Sequence, residues 1–337
     1  MKNANPYYKS EEDNKFEETL RPTSFLEFIG QKKIVGNLNI AIKATKKRHE
    51  PLDHILFSGL PGLGKTTLAH LVAYEMRADL KQTSGPILKK PGDLASILTK
   101  LEEGNILFID EIHRISADVE EYLYSAMEDF FININVDSGP HTRTINLPLK
   151  RFTLVGATTR EGLLSDPFRA RFGILEKLDF YPYDDLKAII NRSARILGVA
   201  IDDESSTIIS ERSRGTPRIA NRYLRRIRDL AQVKAQGKIT KAIAIEGLNM
   251  LGVDIKGLDE MDRKILKTLV AHNGGPVGLS TISVSVGEEE DTIEDVYEPF
   301  LIQQGFLHRT PRGRKATEIA FKHIGITPKK ENQEGLF

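Results

Sequence analysis

Nothing in the chain restricts its fold more than Gly59-Leu60-Pro61-Gly62-Leu63-Gly64-Lys65-Thr66-Thr67. An apolar run, Ile55-Leu56-Phe57-Ser58, comes before it, and an amphipathic run from Leu68 to Met76 comes after. Strand, glycine loop and helix in that order give the context in which G-x-x-x-x-G-K-[ST] carries meaning. Glycines allow positive φ and close backbone approach, so successive N–H groups can wrap an anion. The helix that follows brings the positive end of its dipole to the same point. A nucleotide phosphate fits such a cradle: Lys65 reaches the β- and γ-phosphates, and the Thr66 hydroxyl sits on Mg²⁺. A glycine-rich βα turn with an incidental lysine leaves the flanking pattern unexplained.

A second buried strand is expected at Asn105-Ile106-Leu107-Phe108-Ile109-Asp110, followed by Glu111-Ile112-His113-Arg114. Four consecutive apolar residues suit a strand covered on both faces, as in a parallel sheet. Asp110 and Glu111 then fall at its C-terminal end, where open α/β sheets place their ligands. Asp110 suits Mg²⁺, and Glu111 suits the polarisation of an attacking water. A third strand, Phe152 to Ala157, ends in Thr158-Thr159-Arg160. Either threonine can contact the γ-phosphate or place the water, and either can equally form a turn at a strand end; Thr158 is preferred.

Between the second and third strands, apolar and polar residues alternate over Phe130–Val136 and Arg143–Leu147, around Asp137-Ser138-Gly139-Pro140. That pattern predicts a β-hairpin, which either protrudes to meet a partner or packs on its own domain. Further on, Asp166-Pro167-Phe168-Arg169-Ala170-Arg171 carries two arginines. Alone they read as surface ion pairs; in a ring-forming ATPase, one could reach a neighbour's γ-phosphate.

The chain has 337 residues, enough for two or three domains. Its net charge of +1 gives no overall nucleic-acid signal, so any DNA contact has to be local. The absence of cysteine excludes disulfides and thiolate metal sites and suits a reducing compartment. No apolar run approaches membrane-spanning length and the polar N-terminus lacks a signal-peptide core, so a cytoplasmic protein without membrane contact is expected. The polar N-terminal arm, residues 1–19, is expected to be mobile or draped over the first domain.

Tyr181-Pro182-Tyr183 marks a domain boundary, and helical periodicity alone follows to about residue 254. One helix start is well marked, with Thr216 as N-cap and Pro217 at the first position. Seven arginines lie between Arg212 and Arg228; Arg218, beside the cap, is either part of a solvated basic face or a lid arginine turned toward nucleotide. From residue 255 to 326, three helical patterns precede Phe306–Thr310 and the basic turn Pro311-Arg312-Gly313-Arg314-Lys315. Three helices and a hairpin tip make a winged helix. The third helix carries Glu288, Glu289, Glu290, Asp291, Glu294, Asp295 and Glu298, which repel phosphates if they face DNA. DNA contact is therefore expected from Arg309, Arg312 and Arg314, on the backbone or minor groove. A solvated basic turn is the alternative. Residues 327–337 read as a disordered tail.

Several strings together resemble the RuvB family of AAA+ ATPases: Gly59–Thr67, Asp110-Glu111-Ile112-His113-Arg114, Gly156-Ala157-Thr158-Thr159-Arg160, Arg214 to Arg222 and Gly305–Arg314. The resemblance runs from about Leu20 to Ile326. It implies an α/β AAA+ domain with a parallel sheet over 20–181, a small all-helical lid over 182–254 and a winged-helix head over 255–326. It also implies that Leu20, Arg21 and Tyr181 line an adenine pocket, and that Gly62, Gly64, Lys65, Thr66 and Thr67 hold phosphates and Mg²⁺. Glu128, Asp129 and Phe130 join the nucleotide contacts. Asp110 and Glu111 become the Walker B pair, Arg218 the lid's sensor arginine, and Arg171 the finger offered to a neighbouring subunit, with Arg169 in reserve. Arg309 and Arg314 match DNA contacts of the wing. The implied activity is ATP-driven branch migration of Holliday junctions by a homohexamer, in recombination, repair and the SOS response. RuvA would dock on the 130–147 hairpin and RuvC would join the resolvasome. The alternatives are a clamp or helicase loader and an ATP-gated DNA-binding regulator; the wing directly after the lid argues against the first, and Glu111 with Arg171 against the second.

Overall fold

Five parallel strands carry the glycine loop at the edge of their sheet. The computed structural model describes residues 11–135 and 144–327. In chain order the first elements are α1 (Glu11–Leu20), α2 (Lys32–Arg48), β1 (Ile55–Ser58), α3 (Lys65–Met76), β2 (Leu80–Ser84), α4 (Pro91–Leu98) and β3 (Ile106–Asp110). Then come α5 (Ala117–Glu128), β4 (Phe131–Asn135), β5 (Thr144–Pro148), β6 (Thr153–Thr158), α6 (Asp166–Ala170) and β7 (Ile174–Lys177). Two compact units divide the chain, one spanning Glu18–Tyr181 and the other Pro182–Phe337 with the chain up to Glu17.

In the first unit the sheet order is β2-β3-β6-β1-β7, all parallel. The three central strands are buried along almost their whole length because helices cover both faces, which is why they read as apolar runs. Leu94, Leu98, Leu107, Ile109, Leu123, Phe152 and Phe168 share one of its hydrophobic clusters. Register sets Ser58 opposite Thr158 and Ile109 opposite Gly156. The ends of β1, β3 and β6 therefore meet at one edge. The expected hairpin is formed by β4 and β5, from Phe131 opposite Pro148 to Asn135 opposite Thr144. Its turn, where Val136, Asp137-Ser138-Gly139-Pro140 and Arg143 were read, lies outside the described residues, as do 1–10 and 328–337.

The N-terminal arm corrects an expectation. Residues 11–20 are helical, and of the described part of the arm Phe16 and Glu17 pack on the second unit rather than over the ATPase domain. Arg225 lies 4.8 Å and Arg228 5.9 Å from the Phe16 ring centre, and Glu17 pairs with Arg218 at 2.9 Å. Cation–π contacts and an ion pair on the basic face of the helix that carries Arg218, Arg225 and Arg228 hold the segment there.

The second unit continues with α7 (Tyr183–Ile196), β8 (Ala200–Ile201), α8 (Asp203–Arg212), α9 (Pro217–Lys234), β9 (Lys238–Ile239) and α10 (Lys241–Met250). The two short strands pair in parallel, a bridge the helical periodicity did not reveal. After them come α11 (Glu260–Ala271), α12 (Leu279–Val286), α13 (Glu290–Thr292), α14 (Glu298–Gln303), β10 (Leu307–Thr310), β11 (Gly313–Ala316) and α15 (Glu318–Ile324). The third helix expected here is divided: a wide π turn over Ile293–Tyr297 separates α13 from α14. Pro299, at the start of α14, has no N–H to close the α-helical hydrogen bond across that turn. A separate core of Leu266, Leu269, Ile282, Tyr297, Leu301 and Leu307 holds this part together.

Candidate functional site

Gly64 adopts φ 104° and lies immediately before α3, so the backbone can turn its amides inward where the helix dipole begins. Lys65 is 7% exposed and donates to the Leu60 carbonyl at 2.9 Å and to that of Gly59, which fixes its ammonium inside the loop. Thr66 and Thr67 follow, half-buried, in the first turn of the helix. Tyr181, itself buried, donates its hydroxyl to the Leu63 carbonyl at 3.0 Å. A Cβ added at Gly64 would come into van der Waals contact with both the Phe28 ring and the Tyr181 hydroxyl, at 3.5 Å. Gln31 donates to the Asp179 carbonyl at 2.6 Å, tying the 25–31 segment to the chain beside Tyr181. Leu20 is buried and Arg21 half-buried; Arg21 lies near enough to His70 to lower its pKa, adding to the larger effect of burial.

Asp110 ends β3, and its Oδ1 accepts the Glu111 N–H at 3.0 Å. Glu111 has φ 49°, a left-handed conformation that turns its exposed side chain off the strand, where Arg114 meets it at 3.0 Å. Thr158, 1% exposed, lies with its hydroxyl 3.0 Å from His113 Nδ1 and accepts the Arg160 N–H at 3.0 Å. Asp110, Glu111 and Thr158 thus stand on neighbouring strand ends, with β1 delivering the phosphate loop on the other side of β6.

Arg171 is held elsewhere. Its guanidinium lies 4.2 Å from the Tyr124 ring centre, pairs with Glu128 at 3.2 Å and donates to the Pro167 carbonyl at 2.7 Å. Its Nε is buried with no hydrogen-bond partner among the described residues. Arg169 pairs with Asp166. Glu128 is therefore beside Arg171, whereas the Phe130 ring packs edge-on against Phe152 at 5.9 Å and belongs to the core. In the second unit, Arg218 opens α9 and holds Glu17. Thr216 occupies the cap position, but its hydroxyl makes no capping bond and is buried without a partner among the described residues. On the wing, Arg312 is exposed at the turn, Arg309 half-exposed and Arg314 only 13% exposed, and the last two pair with Glu294 and Glu298. The picture of seven carboxylates turned toward phosphates is corrected for those two: they face the wing.

Three family profiles match successive stretches of the chain between residues 20 and 325. One is described as the Holliday junction DNA helicase RuvB P-loop domain, at residues 20–178; the next as the RuvB AAA lid domain, at 181–254; the last as the RuvB C-terminal winged helix domain, at 255–325. The chain belongs to the RuvB family. The Holliday junction branch migration complex subunit RuvB of Salinibacter ruber is 58% identical over 313 residues, which cover 93% of this chain and 91% of that one. Its counterpart in Christiangramia forsetii is 56% identical over 329 residues, covering 97% and 96%. The solved RuvB Holliday junction branch migration motor of Thermotoga maritima superposes with a TM-score of 0.84 at 51% identity, covering 92% of this chain and 99% of that one.

Inside this RuvB-family fold, Phe28, Gln31, Gly85 and His113 lie near the site although no site role was read for them in the sequence, where the aromatic cluster from Phe25 to Gln31 suggested only a pinned segment. A Cβ on Gly85 would fall well inside van der Waals contact with the Glu111 carbonyl oxygen. His113 stands in a string already quoted, two residues after Glu111, and its pairing with Thr158 could have been sought there. Gly85 sits in a different loop and carries no comparable signal. Among the described residues no cluster of three or more metal-ligating side chains occurs, and no helix is long and apolar enough to cross a membrane.

Proposed function

We propose that this chain is the motor subunit of a branch-migration complex, hydrolysing ATP to draw the duplex arms of a Holliday junction past its winged-helix domains during recombination and repair. The observation that carries this reading is the meeting of Lys65, Thr66, Asp110, Glu111 and Thr158 at one sheet edge, in a chain matched to the RuvB family through to its winged helix. Lys65 binds the β- and γ-phosphates, and Leu20, Arg21 and Tyr181 frame the adenine. Glu111 accepts the proton of the attacking water, which Thr158, held by His113, helps to orient. Mg²⁺ fits the donors present, since the Thr66 hydroxyl and the Asp110 carboxylate are hard oxygen ligands; bound with ATP it would neutralise phosphate charge. Arg171 acts on the nucleotide of a neighbouring subunit together with Glu128 and Asp129, and Arg218 senses nucleotide from the lid.

Residues 20–181 serve as the ATPase domain, 182–254 as the lid and 255–326 as the head. A closed homohexamer follows from a site completed by its neighbour through a heterologous interface. The wing contacts duplex phosphates through Arg309 and Arg312, with Arg314 behind them. RuvA docks on the 130–147 hairpin, RuvC joins for resolution, and the complex works in the cytoplasm. The test is migration of a synthetic four-way junction by the purified chain, with and without RuvA. Expected is ATP-dependent resolution of the junction into two duplexes by branch migration, which RuvA stimulates. Hydrolysis without junction movement in the presence of RuvA would make the chain a DNA-gated ATPase instead.

A further inference from the structure

The wing's two paired arginines are not bare cations. Arg309 and Arg314 are direct partners across the β10–β11 ladder, so their side chains leave the same face of the hairpin. Two carboxylates run beneath that face. Glu298, whose side chain is 1% exposed, accepts from Arg314 Nε at 2.6 Å and from Arg309 Nε at 2.8 Å. Glu294, 34% exposed, meets Arg309 Nη2 at 2.7 Å and Arg314 Nη2 at 3.4 Å. These contacts use Nε and Nη2 of both guanidiniums and leave Nη1 out. Two guanidiniums over two carboxylates sum to zero charge, so the hairpin face is far less attractive to a polyanion than its arginines alone suggest.

The two acids differ in what can reach them. Glu298 is enclosed, and its carboxylate is part of how the wing is built. Glu294 stands in the π turn and meets the Nη2 groups, which Glu298 also meets at 2.7 Å from Arg309 and 3.3 Å from Arg314; a phosphate oxygen would take the same Nη2 groups. A phosphate approaching Arg309 therefore competes with a carboxylate already in place.

Resting on the reading of the wing as the DNA contact, we propose that Glu294 is an affinity-setting residue: an internal competitor that holds Arg309 and Arg314 in position and is exchanged for duplex phosphate on each engagement. The exchange keeps the guanidiniums oriented between contacts and lowers the net gain on binding. A motor that must release the duplex once per cycle needs a grip of this kind.

The probe is a fluorescein-labelled duplex titrated with full-length protein over a series of salt concentrations. Glu294→Gln keeps the shape and hydrogen-bonding capacity but removes the competing charge. It should tighten binding about two- to fivefold, the range a partly exposed ion pair is worth. It should also steepen the salt dependence by up to about 0.9 in log–log slope, because the face presented to DNA gains one unit of net positive charge. Glu294→Asp, which retains the charge, should keep the wild-type slope. A purely structural role for Glu294 would not steepen the slope. Arg312→Ala and Arg309→Ala report on the wing itself. If either weakens binding while Glu294→Gln leaves affinity and slope unchanged, or lowers affinity, the competitor role is overturned and the wing reading stands. If neither arginine variant alters binding, the wing reading falls and the competitor role falls with it.

Discussion

Glu111 holds a φ of 49°, a region that a residue with a Cβ enters only when its surroundings impose it. Gly85 permits it, since its missing side chain leaves room for the Glu111 carbonyl, and the Arg114 N–H holds that carbonyl at 2.9 Å. Two substitutions separate chemistry from placement. Glu111→Gln should lower ATP turnover by at least about 100-fold, the lower bound for losing a general base, while nucleotide binding persists. Steady-state hydrolysis at saturating ATP, set beside a fluorescent-nucleotide titration, checks both; retained turnover would move the water-orienting role to another residue. Gly85→Ala leaves every motif residue intact, yet should reduce turnover and destabilise the domain by about 1–3 kcal/mol through overpacking. A G85A protein with wild-type activity and thermal midpoint would contradict the account. Lys65, Asp110 and Glu111 could be singled out in the sequence because the proposed chemistry dictates their residue types. Gly85 was not, since a carbonyl packed against a glycine leaves no side-chain signature.

Arg214 joins elements that the sequence left separate. It lies between α8 and α9 with φ 56° and is 3% exposed, and its guanidinium pairs with Asp262 at 3.0 Å and Asp259 at 3.2 Å at the start of α11. Phe300 stacks 4.4 Å from it. Burial pushes the Asp262 carboxyl up, against the pull of Arg214, but its oxygens accept three N–H bonds, the pattern of an ionised acid. Arg214→Met strands two buried carboxylates and should cost about 3–5 kcal/mol, whereas adding Asp259→Asn and Asp262→Leu should recover much of that loss. Urea-unfolding midpoints of the three proteins decide it, and an Arg214→Met chain as stable as wild type would refute the joint. A second element-level device is His54, before β1. Its Nδ1 accepts the Leu154 N–H at 2.8 Å, so Nε2 carries the proton and donates to the Met127 carbonyl at 3.1 Å. Burial lowers its pKa below 6.5, so below that pH the unfolded chain binds a proton that the folded chain refuses. Stability should therefore fall as pH drops through 6.5, with a slope contribution of up to about 1.4 kcal/mol per unit that His54→Gln removes. Unfolding midpoints measured from pH 7.5 to 5.5 check it; parallel curves for the two proteins would exclude His54 as a source. β1, β3 and β6 were readable as apolar runs because both of their faces are covered. β2 and β7 lie at the sheet edges with half-exposed patterns, and neither was found in the sequence.

At the scale of the whole molecule, Arg171 reads as a finger offered to a neighbouring subunit, and that reading comes from the family resemblance rather than from the residues alone. Arg171 is engaged by Tyr124, Glu128 and the Pro167 carbonyl, none of which belongs to the phosphate loop or the Asp110–Glu111 pair. Its stacked, partly paired guanidinium is pre-formed on a patch that includes Glu128, which suits presentation to a second chain. No signal in one sequence can reveal a site divided between copies, because each half looks like an ordinary surface until symmetry brings them together. Mixed rings can. Arg171→Ala subunits keep Lys65, and Lys65→Ala subunits keep Arg171, so each alone should be inactive. Mixed in equal amounts under exchange conditions, verified by energy transfer between labelled subunits, random assembly gives one interface in four an intact lysine facing an intact finger. Hydrolysis should then recover to about a quarter of the wild-type rate per subunit. If Arg171 served its own subunit's nucleotide, every site in every mixed ring would lack one of the two groups. No mixing ratio would then restore turnover, and the ring would lose its catalytic reason to close.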